Sequence, residues 1–170
     1  MTQWSEYKLG DDTGDLLLES FEDNQQAALS LIRQGETTLD IFSRDLEPRI
    51  YNSQEFSEAV KDLALKNRNV KVRILVIDPD FAIKHGHSLI TLSRRLGSYI
   101  EVRKVHEDYT SIPEAYLVVD HRGVLHRKLA SRYEGTVNFS LPMRAAELLR
   151  TFNEVWEKSK SYIDFKQLNI

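Results

Sequence analysis

The chain has 170 residues, of which 41% are hydrophobic and 29% are charged, with no cysteine and a formal net charge of −3. These values are typical of a single soluble globular domain, and they exclude disulfides, thiolate metal sites and cysteine nucleophiles. The net charge argues against a protein that coats nucleic acid, although a local basic site that binds nucleic acid stays open.

The sequence contains neither a membrane-spanning run nor a secretory signal. No apolar run approaches the roughly 20 residues that a membrane-spanning helix needs. The first residues lack the basic and apolar regions of a secretory signal. We therefore expect a cytoplasmic protein without a membrane span.

We expect one domain over residues 1–170, with a core at about 16–159, an acidic N-terminal lead at 1–15 and a C-terminal tail at 160–170. Charge is distributed unevenly along it. Residues 1–25 contain seven acidic side chains and one lysine, whereas residues 121–132, the basic segment, contain four basic side chains and no acid. The acidic lead is expected to be solvated; the alternative is that it contacts the basic segment, in this chain or in a partner.

Hydrophobic periodicity predicts strands that alternate with helices. Strands are predicted at residues 37–43, 70–77, 99–105, 115–120 and near 136, and residues 16–18 are a short strand or a docking segment. Helices are predicted from a capping box at Asp23 to a cap at Gly35, after a capping box at Asn52, from about 81 to 96, and from Pro142 to about 159. This pattern predicts an α/β fold with a mixed sheet flanked by helices on both faces.

The most informative stretch is the apolar run Ala115–Asp120, which is followed fifteen residues later by Gly135-Thr136-Val137-Asn138. We expect the basic segment to be a loop at the end of a buried strand, and such a loop is suited to holding an anion. We expect a phosphate-containing ligand to be bound by Arg127, Lys128, Arg132 and Asn138. Ser43 and Arg44 join this prediction because they end a predicted strand, where α/β domains commonly bind ligands.

The order of these elements, with Gly-Thr-Val-Asn at 135–138 and Phe152-x-x-x-Trp156, resembles one half of the phospholipase D superfamily over roughly residues 20–159. The segment at 42–48 is also similar to a bacterial domain family of uncharacterised function, sometimes found next to acetyltransferase domains. The resemblance implies a phospholipase D-like fold. It also implies covalent phosphoryl transfer by a His-x-Lys-x-x-x-x-Asp motif, in which histidine attacks phosphorus and lysine holds the charge.

The chain departs from that motif. With Asp120 as the motif aspartate, Pro113 stands in place of the histidine and Ala115 in place of the lysine. Proline offers no nucleophile and alanine no charge. We therefore expect a catalytically degenerate domain that binds an anionic ligand or a protein partner.

Two alternatives stay open. His126-Arg127-Lys128 is itself His-x-Lys, so the chain could be an active phosphodiesterase or nuclease that uses His126, Lys128 and Asp120. Superfamily enzymes need two halves, so that enzyme would be a homodimer. The other alternative is a regulatory module that docks another protein, such as an acetyltransferase.

The spacing of Asp78, Asp80, His85 and His87 is compatible with metal ligands, but turn chemistry with surface histidines explains it better. We expect no metal and no other cofactor.

Overall fold

In a computed structural model, which describes residues 3–161, an eight-stranded mixed sheet has helices on both faces. The strands are β1 (Leu16–Leu18), β2 (Thr38–Ser43), β3 (Lys71–Val76), β4 (Ile100–Lys104), β5 (Ala115–Val119), β6 (Gly123–Arg127), β7 (Gly135–Asn138) and β8 (Lys160–Ser161). The helices are α1 (Phe21–Gln34), α2 (Pro48–Tyr51), α3 (Gln54–Ala64), α4 (Asp80–His85), α5 (Ser88–Arg95) and α6 (Pro142–Lys158).

The strand order is β1-β7-β6-β5-β2-β3-β4-β8. β2, β3 and β4 are parallel, and the other neighbouring pairs are antiparallel. The predicted fold class, an α/β fold with a mixed sheet, is confirmed.

The protein has two hydrophobic cores, one on each face of the sheet. Leu117 and Val118 are neighbours in β5, yet the first packs with α1, α3 and α5 and the second with α6. This follows from the alternation of side chains along a strand. On the α6 face, Arg73 binds buried Asp40 at 2.7 Å and lies 4.8 Å from the ring centroid of Phe152. Burial raises the pKa of Asp40, and Arg73 opposes that shift.

Helices α1 and α3 begin at serines and not at the capping boxes that the sequence predicts. The Oγ of Ser20 accepts the backbone N–H of Asp23 at 3.1 Å, so α1 begins two residues before Asp23. Ser53 caps α3 in the same way, because its Oγ accepts the N–H of Phe56 at 3.0 Å. Both caps follow the ordinary preference of helix starts for short hydroxyl side chains.

The predicted helix over 81–96 is two helices, since Gly86 interrupts it with a φ of 82°. His87, after the break, is buried. Its Nε2 lies 2.8 Å from the carbonyl oxygen of Leu46, and its Nδ1 accepts the N–H of Leu89. The interpretation of His87 as a surface residue is therefore wrong. Burial lowers the pKa of this imidazole.

The basic segment is not one loop. Its middle forms β6, which pairs with β5 and β7, and the loop that remains between β6 and β7 spans residues 128–134. Asp120 and His121, between β5 and β6, have φ values of 55° and 59°. Such values are typical of the tight turns that join antiparallel strands.

Segments near both limits of the described residues contribute to the fold. Trp4 lies in a short 3₁₀ helix and is buried, so the acidic lead is anchored to the domain. In the predicted tail, Lys160–Ser161 pairs with β4, and residues 162–170 lie outside the described residues. Within residues 3–161, no helix combines the length and the apolar character needed to cross a membrane.

Candidate functional site

A pocket of about 510 Å³ opens where β6, β7, β1 and the start of α6 meet. It is lined by Asp15, His126, Lys128, Leu129, Arg132, Glu134, Gly135, Thr136 and Arg144. His126 and Thr136 are cross-strand partners, so their side chains share the α6 face of the sheet and form the middle of the floor. The acidic lead reaches this pocket through Asp15.

The floor requires a glycine at the start of β7. A Cβ on Gly135 would lie 2.5 Å from the carbonyl oxygen of His126 and 2.7 Å from Cγ of Arg127. The first residue of the Gly-Thr-Val-Asn sequence is therefore needed for close packing of β7 against β6.

His126 is held between a carboxylate and a guanidinium. Its Nε2 lies 2.6 Å from a carboxylate oxygen of Glu114, and its Nδ1 lies 3.4 Å from a guanidinium nitrogen of Arg144. A guanidinium only donates, so Nδ1 is the acceptor and the proton is on Nε2, shared with Glu114. This arrangement leaves the reactive lone pair of the ring directed toward Arg144.

Three cations line the pocket. Lys128 and Arg132 lie on the β6–β7 loop and are exposed, and Arg144 lies in the first turn of α6. None of the three forms an ion pair with another described residue. Their charges are therefore open to an incoming anion.

Arg127 has a different environment from the other predicted ligand-binding cations. It is the cross-strand partner of Ala115, and its side chain is 1% exposed. Its guanidinium binds the carboxylate of Glu47 and donates to the carbonyl oxygens of Ala130 and Arg132. Burial raises the pKa of Glu47, and Arg127 opposes this shift. The arginine thus braces the β6–β7 loop from beneath and does not line the pocket.

Asn138 is buried beside the pocket. Its amide donates to Oδ1 of Asp15 at 3.1 Å, and its carbonyl oxygen accepts the N–H of Ser140 at 3.0 Å. The structure therefore brings Asn138 to the site through Asp15.

Asp120 lies at the other end of β5. Tyr116 is opposite His126 in the sheet, and Asp120 follows it by four residues, which is roughly 13 Å at the rise of a β-strand. The carboxylate of Asp120 accepts the backbone N–H groups of residues 36, 37 and 38. It holds the start of β2 and does not meet His126 or Lys128.

Ser43 and Arg44 also lie away from the pocket lining. Ser43 is buried and its Oγ accepts the N–H of Leu46 at 2.9 Å. Arg44 is exposed, and its carbonyl oxygen accepts the N–H of Asp78 at 2.6 Å. Both residues shape the turn after β2.

Sequence reasoning missed Asp15, Glu114, Thr136 and Arg144 as members of the site. A usable signal was the alternation in β6, where His126 and Arg127 must point to opposite faces. Recognising β6 as a strand would have indicated that Thr136, and not Arg127, shares a face with His126.

Residues 20–168 match DUF7931, a domain family of unknown function. No curated protein matches the chain. Solved structures do. TrmBL2, an archaeal chromatin protein whose structure shows a novel mode of DNA binding, is 16% identical with a TM-score of 0.65; the match covers 86% of this chain and 52% of TrmBL2. The chain thus spans about half of that protein.

Two bacterial structures match over nearly their whole length. Nuc from Salmonella typhimurium, a phospholipase D family member, is 16% identical with a TM-score of 0.62, and the match covers 89% of this chain and 99% of Nuc. NucT from Helicobacter pylori is 11% identical with a TM-score of 0.61, and the match covers 88% of this chain and 99% of NucT. The fold is therefore similar to that of phospholipase D family proteins.

Proposed function

We propose that this chain, which belongs to the DUF7931 family, binds a phosphate-containing ligand in the pocket between β6, β7 and α6. The observation that carries the proposal is the convergence of Lys128, Arg132 and Arg144 on that pocket without an acidic partner among the described residues. Ionised donors form the stronger class of hydrogen bond to phosphate oxygens. All three cations are exposed, so binding is expected to weaken as salt rises.

We further propose that the domain is catalytically degenerate. Pro113 and Ala115 replace the histidine and lysine of the superfamily motif. The buried charge next to Ala115 belongs to Arg127, and Glu47 neutralises it. A phosphate group that binds to the guanidinium of Arg127 would have to displace the Glu47 carboxylate.

Isothermal titration calorimetry with inorganic phosphate, at low and at physiological ionic strength, tests the binding function. Arg132→Ala is expected to weaken binding by about fivefold, the upper range for one exposed charge pair. Arg68→Ala is the matched control, because Arg68 is an exposed arginine outside the pocket. Equal affinities for the two variants, or no binding of phosphate by the wild type, would contradict the proposal.

One observation favours a second function, a phosphodiesterase that uses His126. A carboxylate on one ring nitrogen, as Glu114 provides, orients imidazole, and the other nitrogen could attack once the guanidinium of Arg144 moves away from it. The pocket lining contains one histidine, so a second copy of the chain would have to supply the acid for the leaving oxygen. Homodimerisation, and docking of an acetyltransferase or another protein, remain predictions from the sequence.

Hydrolysis of bis(4-nitrophenyl) phosphate separates the two functions. The binding function predicts no turnover at high enzyme concentration. Turnover that is lost in His126→Ala and greatly reduced in Glu114→Gln would establish the phosphodiesterase instead.

A further inference from the structure

We infer that the ligand of this pocket carries a cationic amine in addition to its phosphate, and that Asp15 is the residue that selects for the amine. This inference rests on the proposed function, because it describes the second half of the same ligand. It follows from the way charge is arranged along the pocket floor.

The cationic end of the floor is the β6–β7 loop. Lys128 and Arg132 lie there, beside Glu134, and Arg144 lies above His126 in the middle. Two cations and one carboxylate leave this end positive, and Arg144 adds a further positive charge beside it. It is the part of the pocket suited to a phosphate group.

The acidic end is defined by the pairing of β1 with β7. Leu16 is opposite Val137 and Leu17 is opposite Thr136, so Asp15 lies beside Asn138. Asn138 follows Thr136 by two residues, which places Asp15 roughly 7 Å along the strand from the middle of the floor. The cationic end of the pocket and the carboxylate of Asp15 are thus separated along the direction of the strands.

Asp15 is held in place although it is exposed. Its Oδ1 accepts the amide of Asn138, a buried side chain whose own orientation is fixed by the N–H of Ser140. Its Oδ2 accepts no hydrogen bond from another described residue. A carboxylate positioned by a buried amide, with one oxygen unpaired in the pocket, is suited to receive a donor from the ligand.

The charge of that donor follows from electrostatics. A carboxylate repels a simple phosphate and attracts an ammonium group, so Asp15 weakens the first ligand and strengthens the second. Three basic and two acidic lining residues, with the histidine left out of the sum, give the pocket lining a formal charge of +1. A phosphate monoester that bears an ammonium group is the complement of this pocket in both sign and layout.

The test compares three small probes by calorimetry with the wild-type chain: ethyl phosphate, phosphoethanolamine and 2-hydroxyethyl phosphate. Phosphoethanolamine is expected to bind most tightly. Asp15→Asn, which keeps the shape of the side chain, should weaken phosphoethanolamine and strengthen ethyl phosphate, each by about two- to fivefold. Asp11→Asn, an acid of the same lead outside the pocket lining, is the control and should change neither.

Each result decides the inference. Equal binding of ethyl phosphate and phosphoethanolamine would overturn it and leave the proposed function intact. Tightest binding of 2-hydroxyethyl phosphate would show that Asp15 accepts from a hydroxyl group and would overturn the choice of an amine. No binding of any probe, inorganic phosphate included, would overturn both the inference and the proposed function.

Discussion

Removal of the Glu47 carboxylate is the sharpest test of how the site is braced. Glu47→Ala leaves the guanidinium of Arg127 without its counter-charge, in a position where that side chain is 1% exposed. The arginine would keep its two hydrogen bonds to the carbonyl oxygens of Ala130 and Arg132. Carbonyl oxygens only partly offset a buried charge, because they carry partial and not full negative charge.

The expected loss in the free energy of unfolding is about 3 kcal/mol, the lower end of the range for breaking a buried ion pair from one side. The lower end applies because the Glu47 side chain is 17% exposed, which lets some water approach the vacated position. For a chain of this length, that loss corresponds to a fall in Tm of roughly 6–12 °C. Glu47→Gln keeps an acceptor oxygen and should have an intermediate effect.

Urea unfolding followed by circular dichroism measures the change. Glu55→Ala is the control, because it breaks an exposed ion pair: the side chains of Glu55 and Arg33 are 54% and 52% exposed. Its removal should lower stability by less than about 1 kcal/mol. A loss in Glu47→Ala as small as that of the control would refute the reasoning, since it would show that the buried arginine does not depend on its carboxylate.

Three further changes probe other parts of the frame by the same unfolding measurement. Asp120→Ala should lower stability by about 2 kcal/mol, because it removes the acceptor for the N–H groups of residues 36–38, while affinity for inorganic phosphate stays unchanged. Gly135→Ala should lower stability by about 1–3 kcal/mol through overpacking against the β6 backbone, whereas Gly97→Ala, whose added Cβ would have its nearest contact at 3.6 Å, should change it little. Burial lowers the pKa of His87, so below about pH 6.5 the unfolded chain binds a proton that the folded chain does not, and stability falls as the pH falls. His87→Gln should reduce this loss of stability between pH 7.5 and 5.5. If stability depends on pH as steeply in the variant as in the wild type, His87 is not the group responsible.

The fold could be predicted because hydrophobic periodicity and strand-ending polar residues report directly on burial. The break at Gly86 was missed because a single glycine inside a helical pattern is often tolerated, and the contact of His87 with Leu46 at the break joins residues that lie 41 apart in the sequence. β6 was missed because its apolar run, Val124-Leu125, is short and is followed by His126 and Arg127. His126 pairs with Glu114 and Arg127 pairs with Glu47, and neither contact can be read from the local sequence.

The same strand explains why the site was only partly predictable and how one basic segment can serve two purposes. Alternation sends His126 to the α6 face, toward the pocket, and Arg127 to the opposite face, toward Glu47. A cation that is buried on the face opposite α6 must be neutralised by the protein. Cations beyond the end of the strand, such as Lys128 and Arg132, can stay exposed. Substitutions at 127 should therefore act on stability, and on binding only through the loop that Arg127 braces. Substitutions at 128 and 132 should change ligand affinity while the unfolding transition stays in place, so the two measurements separate support of the site from contact with its ligand.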